Sequence, residues 1–174
     1  MKNKKIVVMI FCLFFALIFA KAVLSSYLDS ELESKAKDLI QYYSNNESED
    51  VVSVTAMELI IEKNGVETKI KLPKDEFFVS IAPYYEKTHE CVTHFLTKCL
   101  GELKNEVFLV EIKNEKGEMI VSEEITSTAR GWIDLWLPRD QTFDVTLTHN
   151  GTTKTMAITT FSTSKTCVSD FLLK

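Results

Sequence analysis

The chain is poor in the patterns that most often announce an activity. Its 5 glycines form no phosphate-cradling loop, and neither an internal repeat nor a low-complexity tract appears. There is no Cys-x-x-Cys of thioredoxin type, no helical His-x-x-x-His pair of the zinc-hydrolase kind and no recognisable Ser-His-Asp signature, so the familiar hydrolytic and dithiol constellations are missing. Basic residues are outnumbered, 20 Lys and Arg against 25 Asp and Glu, for a net charge of -5. A protein that binds a nucleic-acid backbone needs an excess of cations to displace phosphate counterions, and no basic stripe is present. Nucleic acid is excluded as a partner.

The N-terminus carries an address. Three lysines and no acid in Met1 to Lys5 precede an unbroken apolar run, Ile6 to Ala20, and Ala20-Lys21-Ala22 has the small-x-small form of a signal-peptidase site. Residues 1–22 read as an export signal, with membrane attachment expected only through an uncleaved signal. The lysines stay on the cytoplasmic side, which places the rest outside the cytoplasm: periplasmic, secreted or at the cell surface. Cys12 lies within the apolar run and lacks the small preceding residues of a lipoprotein signal. Residues 1–22 hold four lysines and no acid, so their removal takes the net charge from -5 to -9. About 150 residues remain, enough for one ordinary domain or two small ones.

The expected fold is α+β: a small N-terminal helix-plus-hairpin unit followed by an antiparallel β-sandwich. Leu28, Leu32, Ala36, Leu39, Ile40 and Tyr43 recur at helical spacing, with Ser30 and Glu33 as a capping box and Asn45 to Asp50 as the stop. Val51 to Glu62 reads as one strand, Asn64-Gly65 as a type I′ turn and Val66 to Leu72 as the return strand. A further strand, Phe77 to Ala82, is closed by Pro83. This unit covers residues 23–85, a cysteine- and histidine-bearing loop covers 86–104, and the sandwich covers 105–174. In the last part, five short runs separated by turn residues follow: Val107 to Lys113, Met119 to Thr126, Trp132 to Leu137, Thr142 to Thr148 and Thr152 to Phe161. In the third, Trp132, Asp134 and Trp136 share one face and Ile133, Leu135 and Leu137 the other. A tryptophan pair on a strand reads first as core.

Chemistry concentrates in the loop. T-H-E-C-V-T-H-F-L-T-K-C, residues 88–99, holds two of the four cysteines and two of the three histidines. After export three cysteines remain, Cys91, Cys99 and Cys167, and one disulfide accounts for only two of them. Across eight residues a helix separates Cα atoms by ~12 Å and a strand by ~26 Å. A shared metal or disulfide needs roughly 7 Å. Either the segment folds back as a loop, or Cys167 comes between the other two. Three thiolates suit trigonal Cu(I), a soft ion that prefers sulfur. His89 and His94 are auxiliary candidates. His149, in a hairpin turn, reads as an ordinary residue, and Glu90, Glu102 and Asp170 as solvated charge. Because Cys99 and Cys167 flank the sandwich by short leads, the oxidised form is expected to pair Cys99 with Cys167 and leave Cys91 free. A thiol-disulfide redox partner and a secreted β-sandwich interaction module with one structural disulfide remain as alternatives.

At Thr88 to Leu103 (T-H-E-C-V-T-H-F-L-T-K-C-L-G-E-L), at Gly131 to Asp140 (G-W-I-D-L-W-L-P-R-D) and at Thr166-Cys167 the chain resembles the CueP family of exported copper-binding proteins. Trp132 stands where phenylalanine commonly follows the glycine in that family. The resemblance implies a two-domain, dimer-forming protein. Its Cys91, Cys99 and Cys167 would bind copper, protect against it and reduce Cu(II) to Cu(I). A thiol-reducing or a copper-accepting protein is the expected partner.

Overall fold

The computed structural model describes residues 2–174, with side chains described for 18–21 and 23–174. The expected export signal and Cys12 fall largely outside the described side chains. Among the described residues no helix is long and apolar enough to cross a membrane. The chain forms two units, residues 1–35 and 36–174. Residues 2–35 belong to the single long helix α1 (Lys2–Asn45), which runs through Ser30 without a cap. Of the expected apolar face, Leu28 and Leu32 are exposed, while Ala36, Ile40 and Tyr43 are buried.

Within residues 36–174, eleven strands form three sheets. The first, ordered β3-β2-β1-β5, is built from β1 (Val51–Val54), β2 (Glu58–Lys63), β3 (Val66–Lys71) and the two-residue β5 (His94–Phe95). Asn64 and Gly65 have φ of 52° and 76°, the positive pair that a type I′ turn demands. The expected single strand from Val51 to Glu62 is instead two antiparallel strands, folded at Thr55-Ala56-Met57. No glycine or proline marks this bend. The Thr55 hydroxyl makes it, accepting from the amides of Met57 (3.3 Å) and Glu58 (3.0 Å) and so replacing backbone partners.

The second sheet, ordered β10-β9-β6-β7, is antiparallel throughout: the pair β6 (Val107–Asn114) and β7 (Met119–Thr126) and the pair β9 (Thr142–His149) and β10 (Thr152–Thr159) join where β6 pairs with β9. The third, ordered β11-β4-β8, joins β4 (Glu76–Tyr84), β8 (Ile133–Pro138) and β11 (Cys167–Leu172). Here β4 runs antiparallel to β8 but parallel to β11, with Cys167 opposite Ser80. Pro83 does not end its strand. It lies within β4 opposite Phe171, next to a register shift in β11, where a residue without an N–H is tolerated.

Alternation along β4 and β8 distributes their side chains between separate cores. Phe77, Val79, Ile81, Ile133, Leu135 and Leu137 pack with Phe108, Val110, Phe143 and Val145 between the second and third sheets. On the other face Phe78 and Trp136 pack with Ala36, Ile40, Val52, Val54 and Leu59. Farther along that face Ala82 and Trp132 pack with Cys167. The fold is thus α+β with sandwich-like sheets. The central strand of its third sheet leads from the hydrophobic core to the cysteines.

Candidate metal centre

Four segments meet at the site, and each is fixed by backbone hydrogen bonds. Cys167 opens β11, and its amide and that of Thr166 both point to the carbonyl of Val92, at 3.3 and 3.2 Å. That pair of contacts brings Cys91 beside Cys167. His94 and Phe95 form the short strand β5 against Ser53 and Val54, after which the chain turns so that the Cys99 amide donates to the Phe95 carbonyl at 2.9 Å. The loop therefore folds back, and Cys99 returns toward Cys91.

The entry to the loop is held by a carboxylate. Glu102 accepts from the amides of Lys87 (2.6 Å), Glu86 (3.1 Å) and Tyr85 (3.4 Å). Partial burial raises its pKa, but these amides and the Lys87 charge outweigh that and leave it below the usual range. Glu102 is therefore more than solvated charge. The Thr88 hydroxyl donates to the Ser169 carbonyl and ties the loop to β11.

The result is a convergence of donor atoms. Among the described residues, one ligand atom each from His89, Cys91, Cys99 and Cys167 lies within 4.8 Å of all the others. Cys91 and Cys167 are joined by a disulfide, with Cα atoms 5.6 Å apart, and Cys99 is free. This reverses the expected pairing of Cys99 with Cys167. That expectation treated Cys91 as untethered, whereas the two amides on the Val92 carbonyl hold it against the start of β11. The Cys99 sulfur is 3.7 Å from that of Cys91, so all three sulfurs share one neighbourhood. Cys167 is fully buried; Cys91 and Cys99 are half-buried. Burial pushes the Cys99 thiol up, opposed by the Phe95 backbone and the charge of Arg130.

The histidines divide. His89 joins the sulfurs, and its buried Nε2 has no hydrogen-bond partner. His94 is not in that group. It is buried with its ring 4.3 Å from Trp132 and 6.4 Å from Phe78, its Nδ1 unpartnered. Burial above all, then the nearby His89 and Arg130, pushes its pKa down to about 3. It is therefore a neutral aromatic wall at ordinary pH. His149 is not a plain turn residue either: it is buried, stacked on Phe108 at 4.6 Å, and bonded to Tyr85 Oη (3.1 Å) and Glu106 (3.3 Å). Sequence reasoning also passed over Arg130. Its guanidinium donates to the carbonyls of Thr97 (2.9 Å) and Cys99 (3.3 Å), a contact that only the return of the loop creates.

A family model described as periplasmic copper-binding protein CueP matches residues 36–172. The chain belongs to the CueP family. A crystal structure of S.CueP is 32% identical, with a TM-score of 0.75, over 82% of this chain and 88% of that one. No curated protein sequence matches. The family is one of periplasmic copper binding, and in this chain the cluster of cysteine sulfurs and one imidazole would, once its disulfide is reduced, offer donors suited to a soft cation.

Proposed function

We propose that the protein is an extracytoplasmic copper-binding protein that, when reduced, holds one Cu(I) through Cys91, Cys99 and Cys167, with His89 as auxiliary, in copper tolerance or supply. The observation that carries this is the meeting of those three sulfurs and His89 within 4.8 Å. A thiolate sits roughly 2.3 Å from a bound d¹⁰ ion, so two thiolates of a trigonal site are about 4 Å apart. The 3.7 Å between Cys91 and Cys99 is close to that spacing.

The same sulfurs can reduce copper. Two thiolates that become a disulfide release two electrons, which convert two Cu(II) to two Cu(I). The Cys91–Cys167 bond would be the product, leaving Cys99 and His89 to retain an ion. Reloading the site then needs a thiol-reducing protein, and discharge needs a copper-accepting one. Val92, Phe95 and Leu100, exposed beside the half-buried cysteines, offer such a partner an apolar contact. The disulfide flanked by a free thiol also favours a second reading, a thiol-disulfide redox partner protein that binds no metal.

The two separate by titration. In a Cys12→Ser background, the reduced protein under anaerobic conditions should take one Cu(I) in competition with a chromophoric chelator, and its reactive thiols should fall from three to none. Serine at Cys91, Cys99 or Cys167 should each cost affinity strongly. Full affinity in a Cys91→Ser/Cys99→Ser double variant would sink the proposal.

A further inference from the structure

Of the three cysteines, Cys99 has the weakest sheet support. Cys167 begins a strand, and the Val92 carbonyl beside Cys91 accepts from the Thr166 and Cys167 amides, but Cys99 sits in the non-strand segment after β5. What holds that segment is the turn from Thr128 to Trp132. The turn is itself braced around Thr128: its amide donates to the Trp132 carbonyl (2.7 Å), its carbonyl accepts from Gly131 (2.9 Å), and its hydroxyl accepts from the Trp132 amide (3.2 Å). Gly131, at φ 84°, lies so close to the loop that a Cβ there would stand 2.7 Å from the Gly101 carbonyl carbon. The Gly101 amide donates to the Arg130 carbonyl at 2.7 Å. From this base the Arg130 side chain reaches across to the carbonyls of Thr97 and Cys99. Thr97 is in turn fixed by the Val52 amide, which donates to its hydroxyl at 3.2 Å.

We infer that Arg130 is the positioning residue of the copper site, holding Cys99 within reach of Cys91 and Cys167 by a two-carbonyl clamp. The inference rests on the copper reading above. Arginine suits the task because its rigid planar fork can serve two carbonyls at once, whereas lysine offers a single flexible ammonium. Without the clamp, two carbonyls lose their donor and the thiol is free to swing away.

The test is a double-mutant cycle in Cu(I) affinity, measured on the reduced protein against a chromophoric chelator. Arg130→Met should weaken Cu(I) binding about tenfold, as loss of an outer-shell partner does. Arg130→Lys should recover little of it. In a Cys99→Ser background, Arg130→Met should cost nothing further, and X-ray absorption of the Arg130→Met copper form should count two sulfurs where the wild type has three. Wild-type affinity in both Arg130 variants, or an equal loss with and without Cys99, overturns the inference. Amide exchange of the metal-free protein adds an arm that needs no copper: it should speed up at residues 97–101 in Arg130→Lys, a variant that keeps the charge and the fold, and unchanged exchange there also overturns it. If the wild type binds no Cu(I), the copper reading fails, and the exchange result still decides whether Arg130 holds Cys99.

Discussion

His94 illustrates how one residue type divides into two roles a few residues apart. From the sequence alone His89 and His94 are equivalent, since both flank Cys91 and both are imidazoles. The fold separates them: pairing with Val54 sets the His94 ring against Trp132, while His89 joins the sulfurs. A neutral, buried imidazole has a stability signature. Its pKa is lowered to about 3 in the folded chain, against an ordinary value of 6.5. Between those values the unfolded chain binds the proton and the folded chain does not, so this contribution is complete above pH 6.5 and is lost as pH falls toward 3. At roughly 1.4 kcal/mol per pKa unit the loss is on the order of 5 kcal/mol. Asp134, whose carboxyl is raised by burial and only partly relieved by Ser44 and Ser80, acts in the opposite sense, so the variant must be compared with wild type at each pH. His94→Phe should flatten the dependence of the urea midpoint on pH across this window and leave Cu(I) affinity unchanged. A matching slope in both proteins would mean that His94 does not carry this pH dependence, and a loss of copper binding would place His94 among the ligands.

At the scale of elements, what could be read in advance was what is local. The turns at Asn64-Gly65 and Asn150-Gly151 both have the positive φ values their residues favour, and the four strands of the second sheet lie close to where alternation and turn residues put them. What escaped is long-range. Nothing near Cys167 in the chain indicates that Cys167–Leu172 will lie parallel to β4, because that pairing is set by a partner some ninety residues earlier. Without that strand nothing local sets Cys167 beside Cys91. Thr166, the residue before it, shows how the join is made. Its hydroxyl donates to the Val54 carbonyl (2.6 Å) and accepts from the His94 amide (3.1 Å), while its carbonyl accepts from the Ser80 amide (2.9 Å). One buried side chain thus links the first sheet to the third. Thr166→Val keeps the shape and strands both backbone partners, which should cost about 3 kcal/mol. Urea denaturation with an unchanged slope would measure it; a loss under about 0.5 kcal/mol would mean that these bonds are replaced.

At the scale of the molecule, three thiols in one neighbourhood set the electron count. An odd number of cysteines was visible in the sequence, and so was the suitability of sulfur for copper; which two would pair was not, because the tether on Cys91 is a pair of backbone amides from the far end of the chain. Geometry now distinguishes the members. Cys91 and Cys167 have Cα atoms at 5.6 Å and are bonded, whereas Cys99 is beside them and free. A reduced chain can therefore surrender two electrons internally and no third, since the last thiol would have to find a partner on another molecule. In a Cys12→Ser background, anaerobic addition of excess Cu(II) with a Cu(I)-specific chelator should yield two Cu(I) per chain and then stop. Peptide mapping without reduction should recover Cys91 crosslinked to Cys167, with Cys99 open to alkylation. Cys99→Ser should leave the yield at two while weakening the hold on Cu(I), which separates the electron-donating pair from the retaining thiol. A yield of three, or a crosslink that consumes Cys99, would show that electrons are drawn from a different pair than the one the fold holds together.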